Sequence, residues 1–166
     1  MNSSFRPSGS NIVGTFDGLE NHNVFPCNML VKAEPCFIST ILGSCVGVCL
    51  YDVTLHIGGL NHYMLPYWEG VGLASPKYGN IAIDKLIEKM LQAGCKIENL
   101  EAKVFGGGDV IDVKENVFRI GARNIDVAMD VLNERKIKVV AQSVGGKRGR
   151  KIYLNTTNGC VTMRYV

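Results

Sequence analysis

The sequence predicts a single α+β domain in which mixed or antiparallel sheets pack against two main helices. Three observations support this prediction: β-favouring runs dominate the first half of the chain, two amphipathic helical patterns lie in the second half, and further strands separate and follow them. This order of elements is typical of the α+β class. With 166 residues, 46% of them hydrophobic, the chain is long enough for one domain with a substantial core.

The first half of the chain predicts a flexible N-terminal extension followed by four strands. Residues 1–23 are rich in Ser, Gly and Asn without a sustained period, so we expect them to lie outside a domain formed by residues 24–166. In residues 44–52 successive side chains alternate between two faces, and both faces are apolar, which predicts a central strand. The predicted strands are NMLVKAE (28–34), CFISTIL (36–42), SCVGVCLYD (44–52) and IGGLNHYML (57–65).

The second half predicts two helices among further strands. Between residues 77 and 94 the apolar residues follow a helical period, and Gly94 stands where a left-handed C-cap belongs. We expect a second helix with Asn124 as its N-cap and with a buried stripe formed by Ile125, Ala128, Met129 and Leu132. Strands are predicted at EAKVF (101–105) and IKVVAQSV (137–144), and Asn158-Gly159 predicts the tight turn of a hairpin within residues 151–166.

Composition and charge exclude several functional classes. The net charge of +3 is too small an excess to indicate a nucleic-acid partner or an anionic membrane. No apolar run approaches the roughly 18 residues that a membrane span requires, and the N-terminus lacks the pattern of a secretory signal. We therefore expect a cytoplasmic protein without membrane insertion, whose six cysteines are reduced.

Two cysteines and two histidines lie close together in GSCVGVCLYDVTLHIGGLNHYMLP, residues 43–66. Cys45 and Cys49, and likewise His56 and His62, have the spacing within each pair that zinc fingers use. Only six residues separate Cys49 from His56, however, where roughly 12 are usual. Along a strand Cys45 and Cys49 are also on the order of 13 Å apart, too far to share one tetrahedral ion. The pattern therefore does not favour a metal site.

A nucleophile with its base is a second interpretation of these residues. If the chain turns at Val53-Thr54, Cys45 lies directly opposite His62, with Cβ atoms about 4.5 to 5.5 Å apart. A slip of two residues leaves the pair diagonal on the same face, at roughly 7 Å. An imidazole beside a thiol can take its proton and lower the thiol pKa below about 8.5. In this interpretation His56 is a solvated turn residue. The alternative, that Cys45 is an inert core residue, stays open.

A series of motifs runs along the chain in a fixed order: LGSCVGVCLYD, GGLNHYMLP, KYGNIAIDKLIEKMLQAG, the Gly-rich turn at 106–108, IGARN (120–124), GGKRGR (145–150) and TNGCV. From about residue 28 to the C-terminus the chain thereby resembles the CheD family of chemoreceptor glutamine deamidases. The resemblance implies Cys45 as the nucleophile and His62 as the base. The third catalytic position of the family, a threonine, falls on Ser39, and Thr40 stands beside it.

The resemblance implies a protein-glutamine deamidase of bacterial chemotaxis, which converts receptor glutamines to glutamate through a thioester and releases ammonia. It also implies two partners, methyl-accepting chemotaxis receptors as substrates and a CheC-type phosphatase. We expect no cofactor and no metal. Two donors are expected to bind the substrate oxyanion: the backbone N–H of Cys45 and that of one neighbour among Gly43, Ser44 and Val46. A binding protein that regulates a receptor or phosphatase without catalysis is the alternative.

Overall fold

The computed structural model describes residues 11–110 and 119–166, and it confirms an α+β domain. Within these residues ten strands form two five-stranded sheets, and two α-helices cover one of the sheets. The strands are β1 (Asn11–Phe16), β2 (Leu19–Asn23), β3 (Met29–Lys32), β4 (Phe37–Leu42), β5 (Val46–Asp52), β6 (Ile57–Asn61), β7 (Leu100–Gly106), β8 (Lys138–Val144), β9 (Arg150–Asn155) and β10 (Val161–Tyr165), and the helices are α1 (Gly79–Gln92) and α2 (Ile120–Glu134).

Both sheets are mixed, as the sequence predicted. Sheet 1 has the strand order β1-β2-β4-β9-β10, and sheet 2 has the order β3-β6-β5-β7-β8. The pairs β2–β4 and β7–β8 are parallel, while the other pairs are antiparallel. Each strand predicted from the sequence is confirmed, although β6 ends at Asn61 instead of residue 65.

The alternation of side chains in β5 explains how sheet 2 separates two hydrophobic clusters. Val46, Val48 and Leu50 pack with the buried residues of α1 and α2, on one face of the sheet. Cys49 of β5 and Leu60 of β6 pack on the other face, against buried residues of sheet 1. The predicted central strand is therefore confirmed, because β5 is buried on both faces and lies in the middle of its sheet.

The N-terminal strands correct the prediction of a flexible extension to residue 23. Residues 11–23 form β1 and β2, and β2 pairs in parallel with β4. Asn21 and His22 of β2 are buried although both are polar. A polar strand without a hydrophobic period gives no sequence signal, because its stability depends on a neighbouring strand that lies later in the chain. The remaining residues of the predicted extension, 1–10, lie outside the described residues.

The two helices agree with the sequence to different degrees. α1 buries its stripe from Ile83 to Met90 against sheet 2, and Gly94 has the predicted left-handed backbone, with φ of 101°. α2 begins at Ile120, so Asn124 is not an N-cap but lies inside the helix, fully buried. Neither helix in the described residues is long and apolar enough to cross a membrane.

Candidate active site

Cys45 lies where the chain passes from one sheet to the other. β4 of sheet 1 ends at Leu42 and β5 of sheet 2 begins at Val46, so residues 43–45 join the two sheets. The chain therefore bends between β4 and β5. The Cys45 carbonyl accepts a hydrogen bond from the Gly107 N–H at 2.8 Å, which ties this link to the end of β7. The Cys45 side chain is half-buried and packs against the cluster between the sheets.

The pairing of β5 with β6 places His62 on the same face of sheet 2 as Cys45. Asp52 pairs with Ile57 and Val46 with Tyr63, so the turn contains residues 53–56 instead of the predicted Val53-Thr54 alone. The register consequently differs by two residues from the tight hairpin, and Cys45 is the diagonal neighbour of His62, not its direct partner. Diagonal neighbours are about 7 Å apart, within the reach of an aromatic side chain.

A chain of hydrogen bonds between the sheets fixes the tautomer of His62. The Thr40 hydroxyl donates to the Val24 carbonyl at 2.7 Å, and Thr40 Oγ1 is also 2.8 Å from His62 Nδ1. Because the single hydroxyl hydrogen is already donated, Oγ1 accepts the second bond and Nδ1 carries the proton. Nε2 is therefore the basic nitrogen of the ring, the arrangement that a general base requires.

The hydroxyl that orients His62 thus belongs to Thr40, and not to Ser39, to which the family resemblance assigned this role. Adjacent residues of a strand point to opposite faces. Ile38 and Leu42 of β4 pack between the sheets, so Thr40 shares their face, and Ser39 points to the outer face of sheet 1. Ser39 is buried, and its carbonyl accepts a bond from the Val24 N–H at 2.8 Å.

Burial keeps both members of the pair neutral. It lowers the pKa of His62 from 6.5 to about 4, since the ring is only 4% exposed. Burial also raises the pKa of the Cys45 thiol, and the nearby Cys27 thiol acts in the same direction, opposed by the Cys45 backbone N–H. The prediction of a thiol pKa below the ordinary value is therefore wrong. At pH 7 the resting pair is a thiol and a neutral imidazole, so no ion pair is preformed.

The three candidate donors beside Cys45, namely Gly43, Ser44 and Val46, are not equivalent. Val46 donates its N–H to the Tyr63 carbonyl at 3.1 Å and buries its side chain against the helices, so it cannot bind substrate. Ser44 lines the cleft beside Cys45. The Gly43 carbonyl accepts a bond from the Gly108 N–H at 2.9 Å, which holds the link to the Gly-rich turn. The Cys45 N–H favours the ionised form of its own thiol and therefore lies beside that sulfur.

A cleft of about 650 Å³ opens at Cys45 and is bordered by Met64, Leu65 and Lys77 and by several glycines. Gly107 and Gly121 bring the turn after β7 close to the first turn of α2. A Cβ atom on Gly121 would lie 2.5 Å from the Gly107 carbonyl oxygen, so only glycine permits this approach.

The other residues of the cysteine and histidine group lie apart from this pair. Cys49 is buried between the sheets, and burial raises its pKa to about 12. His56 is exposed in the turn, with Nδ1 at 2.7 Å from the Tyr51 hydroxyl. In residues 11–110 and 119–166, no group of three or more His, Cys, Asp and Glu side chains could hold a metal ion.

Two buried amides near the pair were not predicted from the sequence. Asn61 accepts a bond from the Val48 N–H at 2.9 Å, and Asn124 donates to the carbonyls of Ser44 and Met64. A usable signal was present for Asn124, since a single amide stands among the apolar residues that α2 buries. Such an amide predicts a specific buried hydrogen bond.

Several known proteins are similar to this chain. Residues 64–165, more than half of the chain, match the family described as CheD, chemotactic sensory transduction. A probable chemoreceptor glutamine deamidase CheD from Sulfurimonas denitrificans is 47% identical over 148 residues, which cover 89% of this chain and 95% of its own length. A protein of the same name from Trichlorobacter lovleyi is 48% identical over 145 residues, covering 87% and 90%. The solved hypothetical protein YfiH from Bacillus licheniformis aligns over 70% of this chain and 50% of its own, at 14% identity and a TM-score of 0.47, too low to support an argument.

Proposed function

The chain belongs to the CheD family, and from that membership we propose that it is a protein-glutamine deamidase that acts on chemoreceptors. The similar proteins from Sulfurimonas and Trichlorobacter carry this activity in their names. The reaction class is hydrolysis of a side-chain carboxamide, in which receptor glutamine becomes glutamate and ammonia is released. Cys45 is the proposed nucleophile, His62 the base and Thr40 the residue that orients the base.

One observation carries the proposal: the Thr40 hydroxyl accepts from His62 Nδ1 and leaves Nε2 basic, on the face of sheet 2 that also carries Cys45. A thiol, a basic imidazole nitrogen and a group that orients the imidazole are the parts of a cysteine hydrolase. A half-buried thiol at the wall of a cleft is also accessible to a side chain of another protein.

The first half of the proposed reaction forms a thioester. His62 Nε2 takes the Cys45 proton while the sulfur attacks the carboxamide carbon of the glutamine. Because both groups are neutral at rest, the nucleophilic thiolate is generated by this proton transfer. The Cys45 N–H is the proposed donor to the oxyanion. The tetrahedral species then breaks its C–N bond, and the proton on Nε2 goes to the departing ammonia.

The second half restores the enzyme. His62 Nε2 removes a proton from water, and the resulting hydroxide attacks the thioester carbon. The C–S bond breaks, Cys45 recovers the proton from Nε2, and the receptor retains a glutamate side chain. Thr40 supports both halves, since its oxygen accepts the Nδ1 hydrogen while the ring carries a transient positive charge.

The test is a turnover assay on a receptor cytoplasmic fragment. Wild-type protein should release ammonia and convert glutamine to glutamate, detected by mass spectrometry, while Cys45→Ala and His62→Gln should not. Thr156→Ala serves as a matched control, because Thr156 has buried hydrogen bonds to Cys36 and Glu34, away from the cleft. Equal ammonia release by wild type and Cys45→Ala would contradict catalysis and favour the binding role.

A CheC-type phosphatase is the second proposed partner, and this proposal rests on family membership alone. Binding of such a phosphatase and of a receptor fragment should be mutually exclusive, as measured by calorimetry with each partner added first. Independent binding of both partners would contradict a shared surface.

A further inference from the structure

Asn124 of α2 is bonded to both chain segments that carry the proposed catalytic pair. Its Nδ2 donates to the carbonyl of Ser44, the residue before Cys45, at 3.0 Å. The same nitrogen donates to the carbonyl of Met64, two residues after His62, also at 3.0 Å. Both amide hydrogens are thus used, and the side chain is fully buried, so bulk water cannot replace these bonds.

The pairing of β5 with β6 is incomplete at this point. Regular pairs extend from Asp52–Ile57 to Cys49–Leu60, and beyond them there is a single bridge between Val46 and Tyr63. His62 lies in the interval between these two pairings. There the Val48 N–H donates to the side chain of Asn61 instead of a backbone carbonyl. The sheet alone therefore holds Cys45 and His62 in register less completely than it holds the rest of β5 and β6.

Further contacts hold Asn124 itself in one orientation. The Tyr63 hydroxyl donates to the Asn124 backbone carbonyl at 2.6 Å, which links the residue after His62 to α2 a second time. The Asn124 Oδ1 atom is buried without a hydrogen-bond partner among the described residues. Rotating the amide would place that oxygen against the carbonyls of Ser44 and Met64, so the two acceptors fix which atom faces them.

We propose that Asn124 is a positioning residue that holds the Cys45 segment at the separation from the His62 segment that proton transfer requires. The inference rests on the proposed function for its effect on turnover, but the proximity of thiol and base can be measured without a substrate. Displacement of a reacting group by on the order of 1 Å is enough to lower a rate about 100-fold. Removing the amide should accordingly lower kcat and leave KM near its wild-type value.

The test is the rate at which iodoacetamide alkylates Cys45 at pH 7, followed by peptide mass mapping in two backgrounds. With His62 present, Asn124→Ala should lower this rate about 10- to 100-fold, because the base no longer reaches the thiol. In a His62→Gln background Asn124→Ala should change it less than about threefold, since there is no base to position. Asn124→Asp keeps the size but cannot donate, so it should behave as Asn124→Ala does.

Two further variants keep the test decisive. Tyr63→Phe removes the hydroxyl bonded to Asn124 and keeps the buried ring. It should lower the alkylation rate of Cys45 less than Asn124→Ala does, and again only when His62 is present. Thr156→Ala loses buried bonds at the Cys36 end of β4, about 20 Å from the Leu42 end, and should leave alkylation of Cys45 unchanged.

The positioning role is overturned if Asn124→Ala changes alkylation by the same factor in both backgrounds, or if it leaves the rate unchanged with His62 present. A wild-type protein that converts no receptor glutamine, yet shows the dependence on His62, would refute the proposed function and support the positioning role. The two failures are thus distinguishable.

Discussion

Replacing His62 with glutamine should remove an acid-sensitive part of the free energy of unfolding. The pKa of His62 in the folded protein is about 4, because the ring is buried, against 6.5 for its ordinary value. Between these values the unfolded chain binds a proton at His62 that the folded chain does not bind, so stability falls as the pH decreases through this window. The loss is about 1 kcal/mol at pH 5.5 and about 3 kcal/mol at pH 4, and is close to zero at pH 7.

Urea unfolding of wild type, His62→Gln and Val127→Ala at pH 7, 5.5 and 4 measures this loss. The unfolding free energy of His62→Gln minus that of the wild type should increase by about 3 kcal/mol when the pH is lowered from 7 to 4. Burial also lowers the pKa of His22, but His22 is present in all three proteins, so its contribution cancels. Val127→Ala truncates an apolar core side chain, and its difference from wild type should stay constant. A constant difference for His62→Gln as well would refute the burial of a neutral imidazole.

Three further outcomes follow from the same geometry. Thr40→Val should lower kcat about 10- to 100-fold because His62 Nδ1 loses its acceptor, whereas Ser39→Ala should retain near wild-type kcat. If steady-state assays show the reverse order, Ser39 and not Thr40 orients His62. The acid limb of kcat/KM should have an apparent pKa near 4, and a limb near 6.5 would mean that His62 is solvated. Gly121→Ala should lower the unfolding free energy by about 1 to 3 kcal/mol in urea titrations, since its Cβ would meet the Gly107 carbonyl; an unchanged midpoint would mean that this approach is not close.

Side-chain alternation explains why the relation between Cys45 and His62 could be predicted although the register was wrong. The predicted turn at Val53-Thr54 and the observed turn of residues 53–56 differ by a shift of two residues in pairing. A shift of two leaves every side chain on its original face, because the strand period is two. The face was therefore predictable from the sequence, while the distance depended on a turn that Val and Thr do not specify.

The choice between Ser39 and Thr40 could not be made from the sequence, because both carry a hydroxyl and lie on opposite faces of the same strand. It is decided by which face of β4 meets sheet 2, and that depends on contacts between residues far apart in the chain. The raised pKa of Cys45 has the same origin, since burial is a property of the packed sheets and not of the spacing between residues. Asn124 was predicted to be the N-cap because the sequence placed the helix start five residues too late; the observed N-cap is Arg119.

The most direct test of the proposed mechanism is to trap the thioester during turnover. Hydroxylamine added to wild-type protein with a receptor fragment should divert the acyl group, so that a hydroxamate forms at the modified glutamine and mass spectrometry detects it. Cys45→Ala should give no hydroxamate. Conversion of glutamine to glutamate by the wild type with neither hydroxamate nor an acid-stable adduct on Cys45 would contradict nucleophilic attack by this thiol.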